Sequence, residues 1–475
     1  MKKVFVIYDD RKKPNQEICQ ITGGKSFGNT IFKRKTLKER MKEEILFCGS
    51  VKEVRQVESD KELFLLKEEL EKTEAKTSLL VLPSNFGIGD REAFRILLKK
   101  ASYIQETYAV ACNGKPSMWM YPDIPSYFKS QERSRTSPIM LESDAFIDFS
   151  EIGHFRTFLT GGFDARYFNA LTGDEFTVKK SSENKEKIRA EYEFYYLLPD
   201  EMKYWFVMPF GYEEWADGAS YTMERYHMTD IAIRFVHGAV SMEEFRDILD
   251  KLFYFLRTRK EKKVTREEYE KIGEKLYIEK VAQRIEMLKQ KEGYKTFDNL
   301  IRIGTDYDGI SGIVKEYKRI YGYLSGRGDM EEKLVVGHGD LCFSNILYNK
   351  DASLLKLIDP KGALKEEELY THPYYDLAKL SHSIWGSYDF FNSGLFQMTI
   401  EGDMKICLSI DTDNTAYGTV FGEYLKKYGY DPIQVRLYEA SLFLSMLPLH
   451  MDQENKVFAF LLNAMNIMEE LKKYV

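Results

Sequence analysis

Long apolar runs are missing from this chain. No stretch approaches the roughly 18 apolar residues of a membrane-spanning helix, so no membrane span is expected. Cysteine is scarce too. Cys19, Cys48, Cys112, Cys342 and Cys407 are odd in number, widely spread and form no C-x-x-C pair. Neither a disulfide framework nor a zinc site follows from such spacing. Proline, at 12 of 475 residues, is rare, and the apolar content is that of a globular protein. Basic residues are not in excess: 69 Lys and Arg against 75 Asp and Glu leave a net charge of −6. General nucleic-acid binding leans on the opposite balance. The opening MKKVFVIYDD has only a short apolar run, ended by an acidic pair. It does not read as a signal peptide, and a soluble cytoplasmic protein is expected.

The length is that of two or three domains. Residues 1–140 read as an α/β domain of Rossmann-like type. VFVIY (Val4–Tyr8), VKEVRQV (Val51–Val57), SLLVLP (Ser78–Pro83) and ETYAVAC (Glu106–Cys112) are strand candidates. Helical spacing fills Leu37–Phe47, Lys61–Lys72 and Asp90–Tyr103. This alternation predicts a mostly parallel sheet. GGKS at Gly23–Ser26 ends like a phosphate-binding loop, but Cys19 stands where that loop needs its first glycine, and the loop is set aside. NFGIGD (Asn85–Asp90) reads as a turn. SQERSRTSP (Ser130–Pro138) reads as a linker.

Beyond the linker the pattern changes. Residues 145–228 predict a small β-rich unit. Two antiparallel strands flank a tight LTGD turn at Leu171–Asp174, a helix spans Lys185–Leu198, and WFVMPF and SYTMERY supply further strands. Residues 229–475 read as mainly helical. The order is that of a two-lobed α+β protein-kinase-like domain.

Its chemistry is concentrated in HGDLCFSNILY (His338–Tyr348) and LIDP (Leu357–Pro360). Asp340 and Asn345 lie five apart on a short loop. Asp359 follows at the end of an apolar strand. A hard divalent cation takes oxygen ligands, and a substrate hydroxyl needs a carboxylate to accept its proton. Asp340 is therefore the candidate base, and Asn345 and Asp359 are candidate ligands of magnesium. Protein kinases use a similar acid, amide and acid. Gly161 and Gly162 open a strand and could let backbone amides approach phosphates. Lys179, in FTVK, is the candidate phosphate-binding lysine and Glu191 its partner. Lys180 and Glu193 stay open as alternatives, because alternation does not decide which lysine faces inward. His338 is assigned a structural role near Asp359. Asp376 is expected to cap its helix and brace the catalytic loop. Tyr221–His227 would form the hinge between the lobes.

These motifs resemble the aminoglycoside phosphotransferase and choline kinase superfamily, whose pattern is H-x-D-x4-N, then a strand and I-D. HGDLCFSN, LIDP and PYYDLAKL carry the resemblance, over roughly residues 145–475. FDARYFNALTGDEFTVKKSS and HPYYDLAKLSHSIWG look like phosphotransferase-family proteins encoded with capsule and surface-polysaccharide genes. Residues 1–140 faintly resemble sugar nucleotidyltransferases, without their glycine-rich start. The resemblance implies ATP or GTP with magnesium and a small hydroxyl acceptor: a sugar, an amino alcohol or a surface-polysaccharide precursor. By position it implies Asp340 as base, Asn345 and Asp359 on the metal, and Lys179 with Glu191 on the phosphates. A nucleotide-binding pseudokinase scaffold and a bifunctional nucleotidyltransferase–kinase are the alternatives. A homodimer is left open.

Overall fold

A computed structural model describes residues 2–32, 34–72, 77–131, 137–159, 170–173 (backbone only), 176–327, 332–402, 405–410 and 412–475. Two compact units divide the chain. The first is 1–161 with 237–239, and the second holds the rest. No helix among the described residues is long and apolar enough to cross a membrane.

The first unit is built on a six-stranded sheet. Val4–Asp9 lies at its heart, parallel to Val51–Val57 on one side and to Ser78–Pro83 on the other. Alternate side chains of this strand serve two cores, as a period of two requires. Val4, Val6 and Tyr8 join Met41, Ile45, Phe94 and Leu98, while Phe5 and Ile7 join Leu66, Leu70, Ile124 and Tyr127. Helices Leu37–Leu46 and Arg91–Lys100 thus cover one face, and Asp60–Leu70 and Ile124–Gln131 the other. Their starts follow ordinary capping: Thr36 and Glu39 form a reciprocal box, and the Asp90 carboxylate accepts from the Glu92 and Ala93 N–H groups.

The sheet is mixed, which corrects the expected mostly parallel one. Lys115–Tyr121 runs antiparallel to both Ser78–Pro83 and Tyr108–Cys112. Asn113 (φ 50°) and Gly114 (φ 73°) turn the chain between these two strands, with the left-handed pair that a two-residue hairpin favours. The unit also runs past the expected end at 140. Ile139–Glu142 adds a parallel edge strand, and Phe146–Asp148 pairs with Phe86–Ile88. Half of NFGIGD, Phe86–Ile88, is therefore paired strand rather than a free turn. The expected linker falls partly on helix Ile124–Gln131, and its residues 132–136 lie outside those described. Gly23 (φ 63°) closes helix Gln16–Thr22, its N–H donating to the Cys19 carbonyl. GGKS thus begins as a helix terminus.

The second unit opens with an antiparallel sheet in the order Ala170–Gly173, Thr177–Ser182, Gly218–Glu224, Pro209–Trp215. Leu171, Thr172 and Gly173 pair with Lys180, Lys179 and Val178, so these three residues of the expected LTGD turn are strand, and Asp174 lies outside the described residues. WFVMPF is corrected likewise. Only Pro209 and Phe210 belong to a strand, whereas Phe206 bridges to Leu357. Helix Lys185–Leu197 lies on the sheet through Ile188, which packs with Ala219 and Tyr221. Residues 229–475 are mainly helical around one large core. Two small pieces of strand frame the acidic loop: Ile346–Asn349 against Leu354–Leu357, and Lys333–Val336 against Glu261–Lys263.

Candidate active site

Asp340 stands on the loop between Lys333–Val336 and the 3-10 turn Phe343–Asn345. Its backbone N–H donates to His338 Nδ1 at 3.1 Å, and His338 Nε2 meets the Ile358 carbonyl at 2.9 Å. One ring nitrogen must accept and the other donate, which selects the neutral Nε2–H tautomer. Burial pushes the His338 pKa below its usual value, against the pull of Asp376 and Asp340. The histidine is a strut between the loop and the residue preceding Asp359.

Asp376 is fully buried. It accepts from the N–H groups of His338 (2.9 Å) and Gly339 (2.8 Å) and pairs with Arg259 Nη1 at 3.0 Å. It thereby ties the loop to Arg259. The capping half of the expectation is corrected: Tyr374 occupies the N-cap of helix Tyr375–Ile384, and Asp376 lies within the first turn, turned to the loop instead. Gly339 has φ 79°. A Cβ there would fall 2.6 Å from Lys361 Cβ, so both conformation and space call for glycine.

The Asn345 amide nitrogen donates to Asp340 Oδ2 (3.1 Å) and to the Asp340 carbonyl (2.9 Å). That commitment leaves the amide oxygen as the acceptor. Asp340 Oδ1 pairs with Lys379 Nζ at 2.8 Å, and the Asp340 side chain is 43% exposed. Crowding around Asp340 would raise its pKa, but Lys379 outweighs that and holds it below the usual carboxylate value. The group is an ionised carboxylate that solvent can reach.

Asp359 follows strand Leu354–Leu357 with φ 55°, an uncommon conformation that aspartate tolerates better than most. Its strand is held on the far side as well. The Leu357 N–H donates to the Trp205 carbonyl (2.7 Å), and the Val207 N–H donates to the Leu357 carbonyl (3.2 Å).

The lysine meeting these carboxylates is Lys180, and the expectation of Lys179 is corrected. Lys180 Nζ lies 2.6 Å from Glu191 Oε2 and 2.9 Å from Asp359 Oδ1, with only 3% of its side chain exposed. Lys179 Nζ instead pairs with Glu213 at 2.7 Å in solvent. The reason is register. Lys180 lies opposite Tyr221, and Tyr221 packs on the helix through Ile188. Cross-strand neighbours share a face, so Lys180 faces the helix carrying Glu191 and Lys179 the other side. Burial opposes the charge on Lys180, but Asp359 and Glu191 outweigh it and its pKa lies above normal. Glu191, expected beside Lys179, is the partner of Lys180 instead, and the Tyr221 hydroxyl also donates to it (3.1 Å). Tyr221 was expected only as hinge backbone, yet Tyr221–Glu224 is strand. Gly161 and Gly162 lie outside the described residues.

Three participants were missed: Lys379, Arg259 and the hydroxyl of Tyr221. Arg259 and Asp376 are far apart in sequence, and no local pattern links them. Lys379 carried one faint signal, a position one helical turn beyond the expected brace Asp376.

Among the described residues no group of three or more His, Cys, Asp or Glu could hold a metal ion. One carboxylate (Asp359) and one amide oxygen (Asn345) nonetheless fit magnesium, which keeps several waters and takes remaining oxygens from phosphates. The donors are all hard oxygens, and the cation now on Asp359, the Lys180 ammonium, shows that the carboxylate can hold positive charge.

No family model and no curated protein matches the chain. Solved structures do. A thermostable mutant of aminoglycoside phosphotransferase APH(4)-Ia, in its apo form, is 10% identical with a TM-score of 0.37, over 66% of this chain and 98% of that one. An aminoglycoside-3'-phosphotransferase of type VIII is 14% identical with a TM-score of 0.32, over 64% and 91%. Aminoglycoside phosphotransferase APH(3'')-Id from Streptomyces rimosus, in complex with ADP and streptomycin, is 17% identical with a TM-score of 0.32, over 58% and 88%. Likeness at this distance assigns no activity to the chain.

Proposed function

We propose that the second unit is a magnesium-dependent phosphotransferase that moves the γ-phosphoryl group of ATP or GTP to the hydroxyl of a small molecule. The acceptor class is a sugar, an amino alcohol or a surface-polysaccharide precursor, met in the cytoplasm. One observation carries this reading. An ionised, solvent-reachable Asp340 shares a loop and a hydrogen bond with Asn345, and the strand that follows delivers Asp359 to a buried lysine–glutamate pair.

Asp340 orients the acceptor hydroxyl and takes its proton as the phosphoryl group is transferred. Lys180, fixed by Glu191 and Tyr221, offers its ammonium to the phosphate oxygens. Magnesium, held by Asn345 and Asp359, would supply charge neutralisation between the phosphates. His338, Asp376 and Arg259 keep the loop rigid so that Asp340 needs little reorganisation. The complete Asp–Asn–Asp set counts against a pseudokinase. Among the described residues of the first unit, no observation favours nucleotidyl transfer.

The test is phosphorus NMR of the protein with Mg·ATP or Mg·GTP and pooled sugars and amino alcohols, beside Asp340→Asn. The expected result is a new phosphomonoester signal whose rate falls at least about 100-fold in the variant, the usual range for losing a general base. Equal rates in the two proteins would remove Asp340 from the chemistry.

A further inference from the structure

Charge is divided unevenly about Asp340 and Asp359. On the side of Asp359, one ammonium (Lys180) meets two carboxylates, Asp359 and Glu191. Around Asp340 the balance is reversed. Lys379 lies 2.8 Å from Asp340. Lys280, on helix Lys280–Lys289, donates to the Tyr375 hydroxyl at 2.8 Å. Tyr375 opens the helix carrying Lys379 and precedes it by one turn, so that both residues lie on one helix face. The stem of Lys361 runs along Gly339, the neighbour of Asp340. Among the described residues neither Lys280 nor Lys361 has a carboxylate within ion-pair distance. Lys379 thus pairs with Asp340, Lys280 stands one helical turn away on Tyr375, and the Lys361 stem passes the neighbouring residue, in a chain whose net charge is −6.

Resting on the phosphotransferase reading, we propose that the acceptor is an anion: a hydroxyl compound bearing a phosphate or carboxylate group, which Lys280 and Lys379 hold while the hydroxyl meets Asp340. Tyr375 reports the same local field. Burial pushes its phenol up, but Lys379 and Lys280 more than offset this and its pKa falls below the usual value. Burial without such neighbours carries Tyr277, Tyr317 and Tyr438 upward. A polyamine acceptor would face like charge on this side of the loop, which disfavours binding. An anionic one draws Lys379 partly away from Asp340 and leaves the base free to take the hydroxyl proton. Lys379 is thus both the resting counter-ion of the base and a ligand for the acceptor.

The experiment uses the full chain with Mg·ATP and a matched set: glucose, glucose 6-phosphate, gluconate and glucosamine, with glycerol, glycerol 3-phosphate and glycerate beside them. Turnover and calorimetric binding are measured, with inorganic phosphate as a competitor. The expected result is that a phosphate- or carboxylate-bearing member exceeds its neutral and amine counterparts at least tenfold in kcat/KM or in affinity. Lys280→Met should erase that preference by raising KM for the anionic member about tenfold, with Mg·ATP still bound, and Lys280→Arg should restore much of it. The phosphate and carboxylate arms tell which anion is meant. Preference for the neutral or amine member, or none, overturns the proposal while the kinase stands. If Mg·ATP binds but nothing turns over, binding of the anions and of inorganic phosphate decides. Binding lost in Lys280→Met supports the proposal, and no anion binding overturns it. Absence of both Mg·ATP binding and transfer sinks the parent reading instead.

Discussion

Asp10 in the first unit and Asp340 in the second both stand just beyond a buried strand, and both gather several partners. Their partners differ in kind. Asp10 is fully buried and accepts from the Ser26 hydroxyl (2.7 Å), the Gly28 N–H (2.9 Å) and the Gln56 amide (3.3 Å). All three donors are neutral and fixed by the fold. Asp340 is 43% exposed, and its oxygens meet an ammonium on a long stem and one amide. Neutral, short-tethered donors make a carboxylate part of the scaffold. A half-exposed carboxylate whose charged partner sits at the end of a long stem is left within reach of solvent. The same contrast recurs inside the second unit, between Asp376, closed in by Arg259 and two backbone N–H groups, and Asp359, whose side chain is 44% exposed.

The contrast is broken most severely at Asp376. Asp376→Ala leaves Arg259 as an uncompensated buried charge and frees two backbone donors, so a loss of about 3–5 kcal/mol is expected, read by denaturant unfolding. A loss below about 1 kcal/mol would show that the brace is dispensable. Lys180→Met should lower kcat/KM for the nucleotide roughly 100-fold, the scale of losing one preorganised charge contact, whereas Lys179→Met should stay within about threefold, as surface ion pairs do. The reverse ranking, by initial rates, would restore Lys179 to the site. Asp10→Ala should cost about 1–3 kcal/mol, through donors left buried without a partner, and leave turnover per folded molecule unchanged. The smallest effect sharpens the comparison at Lys379. Asp340 works ionised, so the rate rises with pH through its depressed pKa and is level above. Lys379→Met removes the main influence holding that pKa down, and the acid limb of kcat/KM should move to higher pH. A limb that stays in place would mean that Lys379 does not set the ionisation of Asp340.

The acid, amide and acid of the site were legible because each sits in a local pattern. Asp340 and Asn345 share one short loop, and Asp359 ends a run of apolar residues that could only be a buried strand. What joins separate parts of the chain was not legible. Alternation narrowed the lysine that meets Glu191 to Lys179 or Lys180 but could not choose, because the choice depends on which strand lies opposite. Tyr221 supplies the answer only once its register with Lys180 is known. Arg259 reaches Asp376 across 117 residues, and nothing local announces it. In the first unit the strand at Lys115–Tyr121 was missed although Asn113–Gly114 marks a hairpin, and that omission made the sheet look mostly parallel.

One further glycine bears on how this site can drift. At Gly362 (φ 89°) a Cβ would fall 2.8 Å from the Ala190 carbonyl carbon and 2.9 Å from the Glu191 nitrogen. Next to it the Ala363 N–H donates to the Ala190 carbonyl at 2.9 Å. The loop leaving Asp359 and the helix bearing Glu191 therefore touch backbone to backbone. Any side chain at 362 would pry the two apart and draw Asp359 away from the Lys180–Glu191 pair. Position 362 has no side chain to offer, yet it should tolerate replacement poorly. Two stretches of chain, more than 160 residues apart, are held at backbone contact by one missing methyl group.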